Sequence, residues 1–171
     1  MTEPESFNLD EIDIRLAGTA DFPIVRELYV ASILEGRVRE NDTGADIDDL
    51  VKGYFSDEGA SGFWVACYHG TVIGMIGVQR TRENTAEMRR LGVRPDYRRR
   101  GVGRRLLEHA LDFCQQRGYL KIVLDVRIER NPAISLFDAC GFRLSRTREI
   151  GDHKVLDFFL DLYSDPGGDV G

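Results

Sequence analysis

The densest chemistry in the chain lies in Leu91-Gly92-Val93-Arg94-Pro95-Asp96-Tyr97-Arg98-Arg99-Arg100-Gly101-Val102-Gly103-Arg104-Arg105-Leu106-Leu107. Eight arginines fall between Arg89 and Arg105, and Asp96 is the one acid among them. Gly101 and Gly103 let the backbone come close to a ligand. The segment joins a strand-like run to a helix-period run, so the amides of the helix's first turn and its dipole would face an anion. A pyrophosphate suits that arrangement. The Lys and Ser/Thr that end a P-loop are missing, and so is the longer glycine pattern of a dinucleotide fold. Charge and glycines alone fit a solvated basic turn equally well.

Nucleic acid is a poor partner for this chain. Acidic residues number 29 against 23 Lys plus Arg, a net charge of −6, and no second basic patch or aromatic platform extends the footprint. At 171 residues the expectation is one compact domain. Cys67, Cys114 and Cys140 are odd in number and widely spaced, against a disulfide framework or a zinc pattern. His69, His109 and His153 lie far apart, so no metal is expected. No apolar stretch approaches the ~18 residues of a membrane span. Glu3 and Glu5 stand where a signal peptide would want positive charge. The expectation is a cytoplasmic protein without membrane contact.

The elements that position the basic segment follow from apolar periodicity. Ile12 to Leu16 reads as a strand, and Thr19 caps a helix with Phe22, Val25, Leu28, Tyr29 and Ser32 on its buried stripe. Asp46 through Phe55 reads as a second, shorter helix. Phe63 to Tyr68 and Val72 to Val78 form a hairpin about His69-Gly70, followed by a strand at Ala86 to Val93. A helix from Gly101 to Arg117 carries Val102, Leu106, Leu107, Ala110, Leu111, Phe113 and Cys114 on one face. A strand at Lys121 to Arg127, a helix introduced by Asn131-Pro132 and ended by Gly141, and strands at Phe142 to Ile150 and Lys154 to Tyr163 complete the order. Consecutive strands ahead of a crossover helix require a mixed sheet, and the fold class is α+β. The domain spans 10–163, between a flexible arm (1–9) and a flexible tail (164–171).

The sequence resembles the GNAT superfamily of acetyl-coenzyme A dependent N-acyltransferases. Arg98-x-x-Gly101-x-Gly103 looks like the family's Arg/Gln-x-x-Gly-x-Gly/Ala pyrophosphate loop, and Asn131-Pro132-Ala133-Ile134-Ser135-Leu136-Phe137-Asp138-Ala139-Cys140-Gly141-Phe142 looks like its Asn-containing helix followed by Gly-Phe. The resemblance implies a strongly twisted mixed sheet of six to seven strands with about four helices, and acetyl-CoA as cosubstrate without a metal. It implies that Leu91 and Val93 carry backbone bonds to pantetheine. Arg98, Arg99, Arg100, Gly101, Val102, Gly103 and Arg104 would surround the pyrophosphate. Asn131 matches a pantetheine contact, although Asn131-Pro132 reads equally as a helix cap and first helical residue. Phe137 stands where the family often has a tyrosine that protonates the departing thiolate. Phenylalanine has no such proton, so a core role, forming a wall beside the thioester, is its expectation.

Acetyl transfer needs an unprotonated amine, polarisation of the thioester carbonyl and a proton for the thiolate. The resemblance implies Glu87 as the candidate base, since the family often carries an acidic residue at that place on the fourth strand; Tyr163 is a candidate proton donor, with Glu149 and His153 in reserve, and a surface carboxylate paired with an arginine is the plain alternative for Glu87. Tyr29, Glu35, Arg37, Tyr54 and Phe55 are candidates to line the acceptor pocket. The expected partner is a small polar or amino-acid-like primary amine, in a chain compatible with a homodimer. The alternatives are a protein N-terminal or lysine acetyltransferase, a longer-chain acyltransferase, and a noncatalytic acyl-CoA sensor. The cysteines fit burial without nucleophilic work.

Overall fold

A computed structural model of the protein describes residues 6–162. In chain order the elements are β1 (Ile12–Leu16), α1 (Phe22–Leu34), α2 (Ala45–Asp48), α3 (Leu50–Tyr54), β2 (Gly62–Tyr68), β3 (Thr71–Arg82), β4 (Thr85–Val93), α4 (Val102–Gln116), β5 (Lys121–Arg127), α5 (Asn131–Ala139), β6 (Arg143–Ile150) and β7 (His153–Asp161). The strands form one seven-stranded sheet in the order β1-β2-β3-β4-β5-β7-β6. Every pairing is antiparallel except β4 with β5. This is the mixed α+β sheet that the element order requires. Of the expected 1–9 arm, residues 6–9 are described, and Phe7 packs on the Tyr68 ring at 4.8 Å; the 164–171 tail lies outside the described residues.

Both faces of the central strands are covered, which is why β2 reads as an unbroken apolar run. Trp64 and Ala66 point into a core built with α4 and α5, while Phe63, Val65 and Cys67 point into a second core under α1 to α3. The turn between β2 and β3 uses His69 and Gly70, with φ of 48° and 81°, the pair of positive values whose twist suits a two-residue hairpin. The two long crossover helices end alike. Across Gly118 (φ 77°) the Tyr119 amide bonds back to the Cys114 carbonyl at 3.1 Å, and across Gly141 (φ 93°) the Phe142 amide bonds to Phe137 at 3.0 Å.

Two local expectations are corrected. The helix expected over 46–55 breaks at Asp49, whose backbone (φ −137°, ψ 82°) is not helical and whose carboxylate accepts from the Lys52 amide at 3.1 Å. An aspartate does more for the start of α3 than for the middle of a longer helix. Asn131 is no cap: Arg130 holds that position without a side-chain bond, and Asn131 is already helical and exposed. The break at Asp49 makes five α-helices among the described residues, in keeping with the expected sheet flanked by about four.

Helix α4 reaches the sheet closely because β3 offers a glycine beneath it. A Cβ on Gly74 would meet Leu106 Cδ1 at 2.9 Å and the Gly92 carbonyl oxygen at 3.0 Å. Since the second neighbour is backbone, relief requires moving strand or helix. Gly74→Ala is therefore expected to destabilise the fold by about 1–3 kcal/mol, read as a lower urea midpoint at unchanged slope.

Candidate active site

The site begins where two strands part. β4 and β5 pair through only three residue pairs, Thr85–Glu87 with Lys121–Val123. Past Glu87 they diverge, and the edge of β4 that faces β5 borders cavities instead of a strand. The same stretch of β4 carries a bulge: Met75 of β3 faces Gly92 and Gly77 faces Arg89, leaving Arg90 and Leu91 opposite Ile76 alone. Arg90 takes φ of 62° there, a conformation uncommon for a side-chain-bearing residue and typical of re-aimed strands near sites.

Buried charge holds that bulge in place. The Arg90 guanidinium is bonded to both Asp42 oxygens, with Nη2 at 2.9 Å from Oδ1, and to Asp46 through Nε at 3.0 Å and Nη2 at 2.5 Å. These side chains are only 7%, 6% and 8% exposed. Tyr54 donates to Asp46 at 2.5 Å, and the Tyr29 ring lies 4.8 Å from the guanidinium. Burial pushes the Asp46 carboxyl up, but the bonds from Arg90 and Tyr54 overcome it and hold the pKa at about 2. Burial and Asp46 push Tyr54 the other way, so its hydroxyl stays a donor.

On one side of the parted strands is a cleft of about 650 Å³. Leu91, Gly92 and Val93 form one wall, Pro132, Ala133 and Leu136 of α5 the other, and the start of α4 the floor. Arg99 and Gly101 have φ of 62° and 88°, turning the loop into the helix. The amides of the first turn of α4 have no carbonyl within the helix to receive them. A Cβ at Gly103 would sit 3.7 Å from Leu136 and 3.9 Å from Val93, between the two walls. The cleft thus presents a narrow slot with free amides at one end, which fits a pyrophosphate followed by a slender arm.

Of the residues expected here, Leu91, Val93, Arg98, Arg99, Gly101, Val102, Gly103 and Arg104 line the cleft. Three do not. Arg100 stacks its guanidinium 5.3 Å over Phe7, and Asn131 points to solvent while its neighbours Arg130 and Pro132 line the wall. Phe137 is 5% exposed in the core, with Phe142 and Phe158 ring centres at 5.8 and 6.3 Å. Arg98 lines the cleft but is engaged by protein: Nε donates to the Val93 carbonyl at 3.0 Å and the other nitrogens bond Glu35 at 2.9 and 3.1 Å. Glu35, expected on the acceptor side, sits in this cleft.

On the other side is a chamber of about 80 Å³. Glu87, Arg89 and Arg90 of β4, Asp125 and Arg127 of β5, and Tyr29 of α1 border it, with Arg37, Arg39 and Asp42 from the loop after α1. Burial raises the Glu87 pKa, the Arg89 charge opposes the rise, and Asp125 adds to it; Arg89 Nε stands 3.9 Å away. Leu91, Arg37 and Arg130 border both spaces and mark where they meet. Tyr54 is fully buried behind Asp46 and Phe55 packs in the core of α1 to α3, so neither is a lining residue. Tyr163 lies outside the described residues. Glu149 is exposed on β6, and His153, which borders neither space, stands with Nε2 3.1 Å from Glu40. Burial pushes the Cys114 thiol up to about 12, leaving it unreactive.

Sequence reasoning missed Arg90, Asp42, Asp46, Asp125, Arg127 and Arg130. One signal was present: Arg89-Arg90 interrupts a strand in the middle of the sheet, and a cation there demands a carboxylate from elsewhere. Among the described residues no group of three or more His, Cys, Asp or Glu is placed to hold a metal, and no helix is long and apolar enough to cross a membrane.

Residues 23–142 match the family model described as "Acetyltransferase (GNAT) family". The chain is 34% identical over 122 residues to the probable N-acetyltransferase camello of Xenopus tropicalis, covering 69% of this chain and 55% of that protein. Human N-acetyltransferase 8 is 32% identical over 57% of this chain and 45% of its own length. The N-acetylaspartate synthetase of Danio rerio is 31% identical over 61% and 37%. The chain thus spans about half or less of the curated relatives it matches. Among solved structures, a GCN5-related N-acetyltransferase from Kribbella flavida superposes with a TM-score of 0.79 at 22% identity, over 91% of this chain and 100% of that one. A putative acetyltransferase from Salmonella typhimurium, solved with its cofactor acetyl-CoA, gives 0.77 at 21% identity over 94% and 99%. These two likenesses show the fold.

Arg90→Met leaves two carboxylates buried without their cation and is expected to cost about 3–5 kcal/mol of stability at neutral pH, measured by denaturant unfolding. Asp46 is held below its unfolded value, so its contribution in the native protein is whole above about pH 5 and is lost as pH falls from about 4 towards 2. The gap between native and variant is expected to close over that window.

Proposed function

The chain belongs to the GNAT acetyltransferase family, and on that premise we propose that it moves an acetyl group from acetyl-coenzyme A to a small polar or amino-acid-like primary amine. The observation that carries this reading is the parting of β4 from β5 just past Glu87, which makes a slot for the donor on one side and a small chamber for an amine on the other. A chamber of about 80 Å³ suits a small acceptor better than a protein segment. The zebrafish relative's name, N-acetylaspartate synthetase, states an N-acetylated amino acid as product, in keeping with such an acceptor.

The donor supplies an acetyl group activated as a thioester, and the protein's residues do the rest. Amides of Val102, Gly103 and Arg104 receive the pyrophosphate, with the helix dipole and the charges of Arg99 and Arg104 behind them. The open backbone edge at Leu91 to Val93 bonds the pantetheine arm as a strand would. A backbone N–H at the bulge polarises the thioester carbonyl as negative charge develops on its oxygen. Glu87, whose raised pKa suits a proton acceptor, takes one proton from the amine, directly or through water, as nitrogen bonds to the carbonyl carbon and the carbon–sulfur bond breaks. The thiolate then gains a proton from water; Phe137 has none to give.

Calorimetric titration with acetyl-CoA is expected to show one saturable site per chain, and Gly103→Leu to weaken it at least about tenfold by filling the slot. Protein that binds acetyl-CoA yet releases no thiol with any amine of a broad panel would be a sensor instead. Glu87→Gln is expected to leave acetyl-CoA binding near normal and slow single-turnover transfer by about 10²–10⁴-fold. In the native protein the transfer rate should fall as pH drops through a pKa above the usual carboxylate range, because Glu87 must be ionised to accept a proton. In Glu87→Gln that inflection should vanish, leaving the pH dependence set by the proton on the amine itself.

A further inference from the structure

Arg37 and Arg130 stand where the two spaces meet, Arg98 lines the larger cleft beside them, and Glu35 is the carboxylate that Arg37 and Arg98 share. Glu35 is fully engaged, by Arg37 Nε at 2.8 Å and Arg98 Nη1 at 2.9 Å. Arg130 has no side-chain hydrogen bond or ion pair among the described residues; burial first, then the charges of Arg37 and Arg98, push its pKa down to about 10. Among the described residues no buried side-chain nitrogen is sealed off without a partner, so this guanidinium opens into the cavity that it borders on both sides.

The other cations of the chamber have partners: Arg89 donates to Gln79 Oε1 at 2.9 Å. Arg39 is bonded to Asp125 at 2.6 Å, Arg90 to Asp42 and Asp46, and Arg127 to Glu129 at 3.4 Å and to His153 Nδ1 at 2.7 Å. A desolvated cation without a carboxylate is costly and gains most from an anion brought by a ligand. The proposed donor brings its phosphates to the far end of the slot, at α4, and its pantetheine arm is neutral. The acceptor remains as the source of negative charge beside Arg130.

We infer that the acceptor carries a carboxylate next to its amine and that Arg130, backed by Arg37, binds that carboxylate and selects such acceptors over neutral amines. This rests on the acetyl-transfer reading above. Glu87 and Arg130 border the same small chamber, so a molecule whose amine and carboxylate sit on one or two adjacent carbons engages both ends at once. Planar, bidentate pairing is what a guanidinium offers a carboxylate. Arg130 is thereby a specificity-determining residue, and Glu87 acts on the amine that it orients.

The test measures acetyl transfer to glycine, L-alanine, L-aspartate and β-alanine, each beside its carboxamide. The native protein is expected to favour the acids by at least about 30-fold in kcat/KM. Arg130→Met should erase that preference mainly through KM, and Arg130→Lys should keep part of it. A readout apart from turnover is thermal protection of CoA-saturated protein by the acids, present in the native chain and absent in Arg130→Met. Acetyl-CoA affinity should change less than about threefold in both variants. Weakening of acetyl-CoA binding by more than about tenfold, with the acid preference kept, would show that Arg130 serves the donor's phosphates and overturn the inference. Equal transfer to acids and amides would overturn it while leaving acetyl transfer standing. Transfer to no amine at all would overturn the acetyl-transfer reading and this inference with it.

Discussion

The arrangement of the site depends on one buried ion cluster, Arg90 with Asp42 and Asp46. A strand in the centre of a sheet would ordinarily present its residues in strict alternation, and a positive φ at an arginine runs against that. The cluster makes the deviation stable. Its carboxylates come from the loop after α1 and from α2, so the same bonds that hold the bulge also hold that loop over the end of the sheet. Glu35, Arg37, Arg39 and Asp42 reach the cavities from this loop, which has little regular structure of its own. Charge buried at one point therefore places residues that hydrophobic packing alone would leave loosely positioned.

Around that cluster the two cores divide the work. The core under α4 and α5 is broad and apolar and fixes the helix whose first turn closes the larger cleft. The core under α1 to α3 is smaller and carries the polar chamber along its edge. Phe137 belongs wholly to the first core, where its contacts with Phe142 and Phe158 explain an aromatic residue without any proton to give. Tyr54 has a comparable place in the second: it is fully buried, yet its hydroxyl completes the bonding of Asp46.

Periodicity and turn chemistry carried most of the fold. The amphipathic face of α4, the His69-Gly70 hairpin and the glycines that end α4 and α5 are local signals, and local physics decides them. The Arg98 to Gly103 loop was legible for the same reason, since glycines at a strand-to-helix junction state their purpose within a few residues. What escaped depends on distance in sequence. The eight arginines from Arg89 to Arg105 read as one basic stretch, yet Arg90 turns to Asp42 and Asp46, Arg98 to Glu35, and Arg100 to Phe7. The break at Asp49 and the exposure of Asn131 came from competing local preferences that a single residue type does not decide. Arg130 was invisible because a single arginine ahead of Asn131-Pro132 carries no pattern; its burial without a side-chain partner among the described residues is what distinguishes it.

The three-pair ladder between β4 and β5 also divides the sheet mechanically. Strands β1 to β4 form an antiparallel meander, while β5, β7 and β6 form a second antiparallel group in which β7 returns between β5 and β6, each group held by long ladders within itself. Main-chain bonding across the seam is slight, so a small rotation of one half against the other breaks few hydrogen bonds. Both cavities lie along that seam. Side chains carry the ties across it instead: Arg39 bonds Asp125 at 2.6 Å and Arg127 donates to the Val38 carbonyl at 3.4 Å, both between the loop after α1 and β5. The sheet is thus bonded continuously within each half and only briefly between them, at the place where both cavities lie.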